Sequence, residues 1–119
     1  MQIVVLDTNA LLMPFERKMN IDLSVRDLLG DVHFVVPGPL IGELKHLDNK
    51  YASAALELAR RYEIIPTEAA GDKAVIELAL KTKGYVLTND KELRKILRSL
   101  KVPLIYLRSS THLTLEDFR

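Results

Sequence analysis

Ile3-Val4-Val5-Leu6-Asp7-Thr8-Asn9 runs four apolar residues straight into a carboxylate. A short apolar run bounded by polar turn types is the pattern of a buried strand, as in a parallel sheet covered on both faces. Thr8 and Asn9 are helix-capping types, and Ala10-Leu11-Leu12 begins a helical pattern. Asp7 therefore stands where a strand stops. In open α/β sheets, ligands bind at that carboxyl edge.

The same alternation continues down the chain. Further strands are expected over 33–36, 63–66, 85–88 and, after Pro103, up to 107. Helices are expected over 10–17 (disturbed near Pro14), 23–29, 39–48 and 51–62, and again from Gly71-Asp72 and from Asn89-Asp90. Gly30 and Gly84 close two of them. Apolar stripes at helical spacing predict inward faces: Val75, Ile76, Ala79 and Leu80 on one helix, and Leu93, Ile96, Leu97 and Leu100 on the next. Residues 109–119 read as a polar tail. Strands alternating with helices predict an α/β domain, a parallel sheet with helices on both faces, spanning residues 1–119 as one unit.

Composition bounds the chemistry. With 119 residues and 48% hydrophobic content, the chain can bury a real core. It has no cysteine, which excludes disulfides and thiolate zinc sites and agrees with a reducing compartment. No apolar run has membrane-spanning length, and a strand from Ile3 leaves no room for a leader, so a cytoplasmic protein without membrane attachment is expected. The net charge of +1 says nothing about a polyanionic partner; only the distribution of charge can.

Four acids occupy equivalent places. Asp7 ends the first strand, Glu43 lies early in the helix after the second, and Asp72 and Asp90 open the helices after the third and fourth strands. Right-handed crossovers bring all four connections to one sheet edge. Each helical acid continues an apolar stripe: Asp72 precedes Val75 and Ile76, Asp90 precedes Leu93 and Leu97, and Glu43 lies between Leu40 and Leu47. Solvating charges belong on the opposite face.

Taken singly, Asp72 reads as a helix cap and Glu43 as a surface residue. Asn89 and Glu92 form a capping box without Asp90, which leaves Asp90 spare. Jointly, four carboxylates in one cleft repel one another unless a cation neutralises them. A hard divalent ion, Mg²⁺ or Mn²⁺, takes such oxygen ligands and promotes hydrolysis of phosphate esters. Thr8, Asn9, Thr88 and Asn89 flank the acids and are expected to cap helices or orient the carboxylates.

Asp7-Thr8-Asn9 after a hydrophobic strand, Gly42-Glu43-Leu44 on a helix, Gly71-Asp72 opening another, and Thr88-Asn89-Asp90-Lys91-Glu92-Leu93 together resemble the PIN-domain ribonucleases, in that family's motif order. The resemblance covers nearly the whole chain. It implies a three-layer, Rossmann-like fold with five parallel strands in the order 3-2-1-4-5. It also implies a metal-dependent endoribonuclease, with Asp7, Glu43, Asp72 and Asp90 as catalytic and metal-binding acids and Thr88 as a polar neighbour. Leu11-Leu12-Met13-Pro14-Phe15 and Ile105-Tyr106-Leu107-Arg108 look more like the archaeal rRNA-processing type than the toxin-type ribonucleases. The family also implies homo-oligomers and protein partners, either an inhibitor or a ribosome-assembly factor.

RNA is expected along the helix after Asp90, where Lys91, Arg94, Lys95, Arg98 and Lys101 form a basic face opposite the leucines. Aromatic residues are few, so extensive base stacking is not expected. His33, His46 and His112 lack metal-ligand spacing. Two other readings compete. One is a non-catalytic RNA-binding or assembly module that keeps the fold. The other is a phosphoacceptor receiver domain, which expects paired acids after the first strand where this chain has Thr8 and Asn9.

Overall fold

The computed structural model describes residues 1–119. β1 (Gln2–Leu6) is followed by α1 (Thr8–Arg17), α2 (Ile21–Leu29), β2 (Val32–Pro37), α3 (Pro39–Lys45), α4 (Ala52–Ala59) and β3 (Glu63–Ile65). Then come α5 (Asp72–Thr82), β4 (Tyr85–Leu87), α6 (Lys91–Ser99), β5 (Leu104–Leu107) and β6 (Leu113–Glu116). The strands form one sheet in the order β3-β2-β1-β4-β5-β6.

β1 lies at the centre because its sequence suits no other place. Val4, Val5 and Leu6 are fully buried, with Val5 opposite Val35 on one side and Val86 on the other. Each such side chain contributes roughly 1.5–3 kcal/mol through burial. The chain crosses the sheet one way from β1 to β3 and the other way from β4 to β5. Right-handed crossovers therefore put α1–α4 on one face and α5–α6 on the other. The direction changes between β1 and β4, and that switch point is where an α/β sheet opens a crevice. A receiver domain would have the order 2-1-3-4-5, so this topology excludes that reading.

The expected order 3-2-1-4-5 is present, but the sheet has six strands rather than five and is not wholly parallel. The stretch expected to be a polar tail supplies β6, antiparallel to β5 with Ile105 opposite Leu115 and Leu107 opposite Leu113. Alternating Leu113, Thr114, Leu115 and Glu116 carries a strand's period of two, which the surrounding polar residues obscure. The four residues of β6 are all half-buried, as an edge strand should be.

Helix bounds also shift for identifiable reasons. α1 begins at Thr8 because Asp7 itself caps it, and it runs on past Pro14. α3 ends at Lys45, short of the expected Asp48, and α4 is confined to Ala52–Ala59. On α6 only Leu93 and Leu97 are buried, whereas Ile96 and Leu100 face out. On α5, Ala74 and Leu78 join Val75 and Ala79 inside, and Leu80 is exposed. Gly84 is required by close approach: a Cβ there would meet the Ile3 carbonyl oxygen of β1 at 2.9 Å. No helix is long and apolar enough to cross a membrane.

Candidate active site

Asp7, Glu43, Asp72 and Asp90 line one cleft of about 290 Å³ at the carboxyl edge, beside the β1/β4 switch point. Thr8 and Asn9 line it too, with Leu12, Leu40, Leu47 and Val75 as its apolar floor. Asp7 lies deepest, 5% exposed, because β1 delivers it directly from the core. Asp90 is half-buried, while Glu43 and Asp72 stand exposed at the mouth.

A hydrogen-bond network fixes the inner half. One Asp7 carboxylate oxygen accepts from the Ala10 N–H at 2.7 Å, and the other accepts from the Thr88 hydroxyl. Thr88 Oγ1 in turn accepts from the Asp90 N–H at 3.1 Å. The Asn89 N–H donates to Asn9 Oδ1 at 3.0 Å, and Asn89 Oδ1 accepts from the Leu107 N–H at 3.2 Å. The carboxyl ends of β1, β4 and β5 are thereby stitched together around Asp7. The expected capping box is not formed: Asp90, not Asn89, caps α6, accepting from the Leu93 N–H at 3.0 Å. Asn89 is drawn away to bridge Asn9 and Leu107. Asp72 is not a cap either; Gly71 precedes it with φ +61 and ψ −143, a conformation that glycine alone adopts readily. That glycine turns Asp72 into the cleft.

The electrostatics are those of acids without cationic partners. None of the four carboxylates takes part in a salt bridge. Burial pushes the Asp7 carboxyl up to about 7; the Thr88 and Ala10 hydrogen bonds restrain that rise, and the charges of Asp72 and Asp90 add to it. Glu43 is raised by desolvation in the cleft and by Asp72, against the pull of the Gly71 N–H. Desolvation and then Asp90 raise Asp72.

This donor set suits a hard, hydrated cation. No three carboxylate or imidazole groups stand close enough to grip one ion together, but Mg²⁺ ordinarily keeps most of its waters and uses one or two carboxylates. The Thr8 hydroxyl supports the fit. It is buried at the cleft and has no hydrogen-bond partner, so it is placed to bond a water in an ion's hydration shell.

Sequence reasoning missed several lining residues. Asp48 brings a fifth carboxylate, and Asn49 and Gly71 complete the wall. Asp48 lies five residues after Glu43, off any helical face, and reaches the cleft only because α3 has already ended. Of the five basic residues expected to meet RNA, Lys101 lies past the end of α6 and lines a separate cavity, and the other four separate into two pairs. Arg98 is held by Glu116 at 2.8 and 3.0 Å, and Arg94 stacks 4.5 Å from the Tyr106 ring centroid. Lys91 and Lys95 remain exposed, Lys95 in only a long contact with Glu92 at 3.8 Å. On the other wall, Lys45, His46 and Lys50 are exposed beside the lining residues Leu47–Asn49 and form no ion pair.

Comparison with known proteins gives a consistent pattern. The PIN like domain family matches residues 4–110. The chain is 29% identical to Ribonuclease VapC9 of Archaeoglobus fulgidus, over 94% of this chain and 87% of that protein. It is 26% identical to Ribonuclease VapC4 of Methanocaldococcus jannaschii, over 92% of each. Among solved structures, the PIN domain endonuclease Utp24 superposes with a TM-score of 0.83 at 21% identity, over 98% of this chain and 92% of that one. A domain of a functionally unknown protein from Methanocaldococcus jannaschii superposes with a TM-score of 0.64 at 14% identity, over 92% and 93%.

Proposed function

The chain belongs to the PIN-like domain family, and from that premise we propose that it is an endoribonuclease hydrolysing RNA phosphodiester bonds with the help of Mg²⁺ or Mn²⁺. The observation that carries this reading is a cleft of five acids, one almost wholly buried, that no basic side chain neutralises. Asp7 and Asp90 on the inner wall, with Asp72 and Glu43 at the mouth, would hold the ion, one or two of them directly and the others through its waters. When bound, it would neutralise the attacked phosphate and lower the pKa of a coordinated water.

The chain's own groups would position the reaction. The Thr88 hydroxyl fixes one Asp7 oxygen, so the carboxylate enters the cleft in one orientation. The Asn9–Asn89–Leu107 bridge holds the β4 turn, and with it Asp90, at a fixed distance from Asp7. Lys91 and Lys95 on one side, and Lys45 and His46 on the other, are free to take flanking phosphates of a single strand, with Lys50 beside them over the Tyr51 ring, 5.0 Å from its centroid. Extended recognition of bases by stacking is not part of this proposal, since no aromatic side chain lines the cleft. Within the family we place rRNA processing ahead of a toxin-type role, on the resemblance of residues 11–15 and 105–108.

The test is cleavage of single-stranded and structured RNA with Mn²⁺ by the wild type and by Asp7→Asn. Activity is expected only in the wild type and is expected to vanish with EDTA. Cleavage by Asp7→Asn, or cleavage without metal, overturns the proposed site. The competing reading, a binding module that keeps the fold, is favoured by one observation: no three acids are close enough to chelate an ion directly. An inactive wild type that binds RNA in a salt-sensitive way and binds no Mn²⁺ would establish that reading instead.

A further inference from the structure

A second concavity lies at the opposite, amino-terminal edge of the sheet. Ala79 and Leu80 at the end of α5, Leu100 at the end of α6, and Gly84, Val102 and Pro103 leading into β4 and β5 enclose about 200 Å³. Leu80 and Leu100 are 54% and 45% exposed there. Ile96, one turn before Leu100 and 42% exposed, extends the apolar strip along α6. Single exposed leucines need no explanation, but here two of them meet across one concave cup.

The rim is cationic. Lys83 and Lys101 line the cup and form no salt bridge; Arg119 closes one side, donating to the Lys83 carbonyl at 2.7 Å and pairing with Asp117 at 3.4 Å, so the two lysines are the cations left for a partner. Both adopt left-handed backbone, with φ of 55 and 59, at the ends of α5 and α6. A lysine at a helix C-terminus steadies the helix dipole, and Lys18 does so at the end of α1. That role accounts for the charges but not for the leucines between them.

We infer that this cup is a docking site for an acidic, leucine-bearing segment of another protein, its leucine seated between Leu80 and Leu100 and its carboxylates facing Lys83 and Lys101. The volume favours this occupant. It falls below the roughly 300–1,000 Å³ of sites for small molecules, and it suits one or two side chains anchoring a peptide. A second copy of this chain fits poorly, because a twofold contact here would set Lys83 and Lys101 against their own symmetry mates. RNA fits the charge but not the floor, which has no aromatic side chain for a base to stack on. The cup would bind its partner whether or not the cleft on the other edge cleaves RNA.

The experiment uses the full chain, ¹⁵N-labelled, and a short synthetic helical peptide with two leucines one turn apart flanked by glutamates. Backbone resonances of residues 79–84 and 100–103 are expected to shift below about 1 mM peptide. Lys83→Glu with Lys101→Glu should weaken binding roughly tenfold or more, and a lysine-flanked version of the peptide should recover it in that variant. Leu80→Ser, at a side chain already half exposed, should weaken binding without changing Tm. Shifts confined to the acidic cleft, no shifts at all, or binding indifferent to the charge reversal would overturn the inference. So would peptide-free shifts that grow with protein concentration, or displacement of the peptide by a single-stranded oligonucleotide.

Discussion

Asp7, at the end of central β1, and Glu116, on the edge strand β6, are two carboxylates of one sheet, and the fold treats them oppositely. Glu116 on β6 accepts from Nε and Nη2 of Arg98 and from the Tyr106 hydroxyl, the latter at 2.8 Å, and the Arg98 pairing holds its carboxyl below the usual range. Asp7 receives only neutral donors, Thr88 and Ala10, and burial holds its carboxyl far above that range. The first acid has its cation built into the chain. The second is kept in a dry site, with further acids beside it and no cation supplied. An acid that serves the fold is neutralised by the fold; one left unneutralised at a ligand-binding edge is reserved for something that arrives later.

Asp90 gives the sharpest way to break that distinction, since it both caps a helix and lines the cleft. Asparagine caps about as well as aspartate, so Asp90→Asn removes charge and keeps the cap. Cleavage should fall by two orders of magnitude or more, while Tm stays nearly unchanged. If Asp90→Asn keeps full activity in a Mn²⁺ assay, Asp90 serves only the helix.

Stability against pH reads the same contrast without any catalysis. With Asp7 at about 7 in the fold against 3.8 for the free side chain, the metal-free native state binds the extra proton between those values. Its stability must therefore fall as pH rises from about 4 to about 7 and level off above. The loss should be about 4 kcal/mol. Glu116 works in the opposite sense, because its folded pKa lies below 4.5: its contribution is present above that pH and is lost as pH falls further. Urea unfolding of the EDTA-treated protein should show the Asp7 slope, and Asp7→Asn should flatten it and be the more stable protein at pH 8. Equal slopes in the two proteins would mean that Asp7 is not held protonated.

Much of this was legible from residues 3–9 alone, because a continuous apolar run ending in a carboxylate has few structural solutions. The four acids could be assigned to one edge because strand–helix alternation and crossover handedness leave little choice of topology. Asp48 was hidden, since its place depends on where α3 stops. The α6 basic face misled for a related reason. Helical spacing shows which way Arg94 and Arg98 point, but not that Tyr106 of β5 receives Arg94, or that β6 folds back and brings Glu116 to Arg98. A four-residue edge strand carries too little periodicity to announce itself, yet it decides which cations remain free.

Thr88 tests how strongly the chain restrains Asp7. Its hydroxyl is the main interaction favouring the ionised carboxylate and also accepts from the Asp90 N–H. Thr88→Val keeps the shape and removes both bonds. A hydrogen bond to a charged group contributes about 1.5–3 kcal/mol, so the destabilisation should be near 2 kcal/mol at pH 8. It should be smaller at pH 5, where Asp7 is already protonated. The Asp7 carboxyl should rise further, moving the rising limb of the activity profile to higher pH. A pH-independent loss of stability with an unmoved profile would reduce Thr88 to a packing residue.

Glu116→Gln should give the smallest effect, and it tests the other half of the contrast. The Arg98–Glu116 pair is partly exposed, with side chains 39% and 28% accessible, so breaking it should cost about 0.5–1 kcal/mol and less at high salt. Its informative consequence concerns RNA. Released from Glu116, Arg98 would join Lys91 and Lys95 on α6 as a third cation free to meet phosphate. Binding of a single-stranded oligonucleotide to catalytically silent Asp7→Asn should then tighten about two- to threefold on adding Glu116→Gln, with a steeper salt dependence. Unchanged affinity and salt slope would place the RNA path on the Lys45–Lys50 wall instead, and leave α6 as a helix whose arginines serve only to fasten β5 and β6.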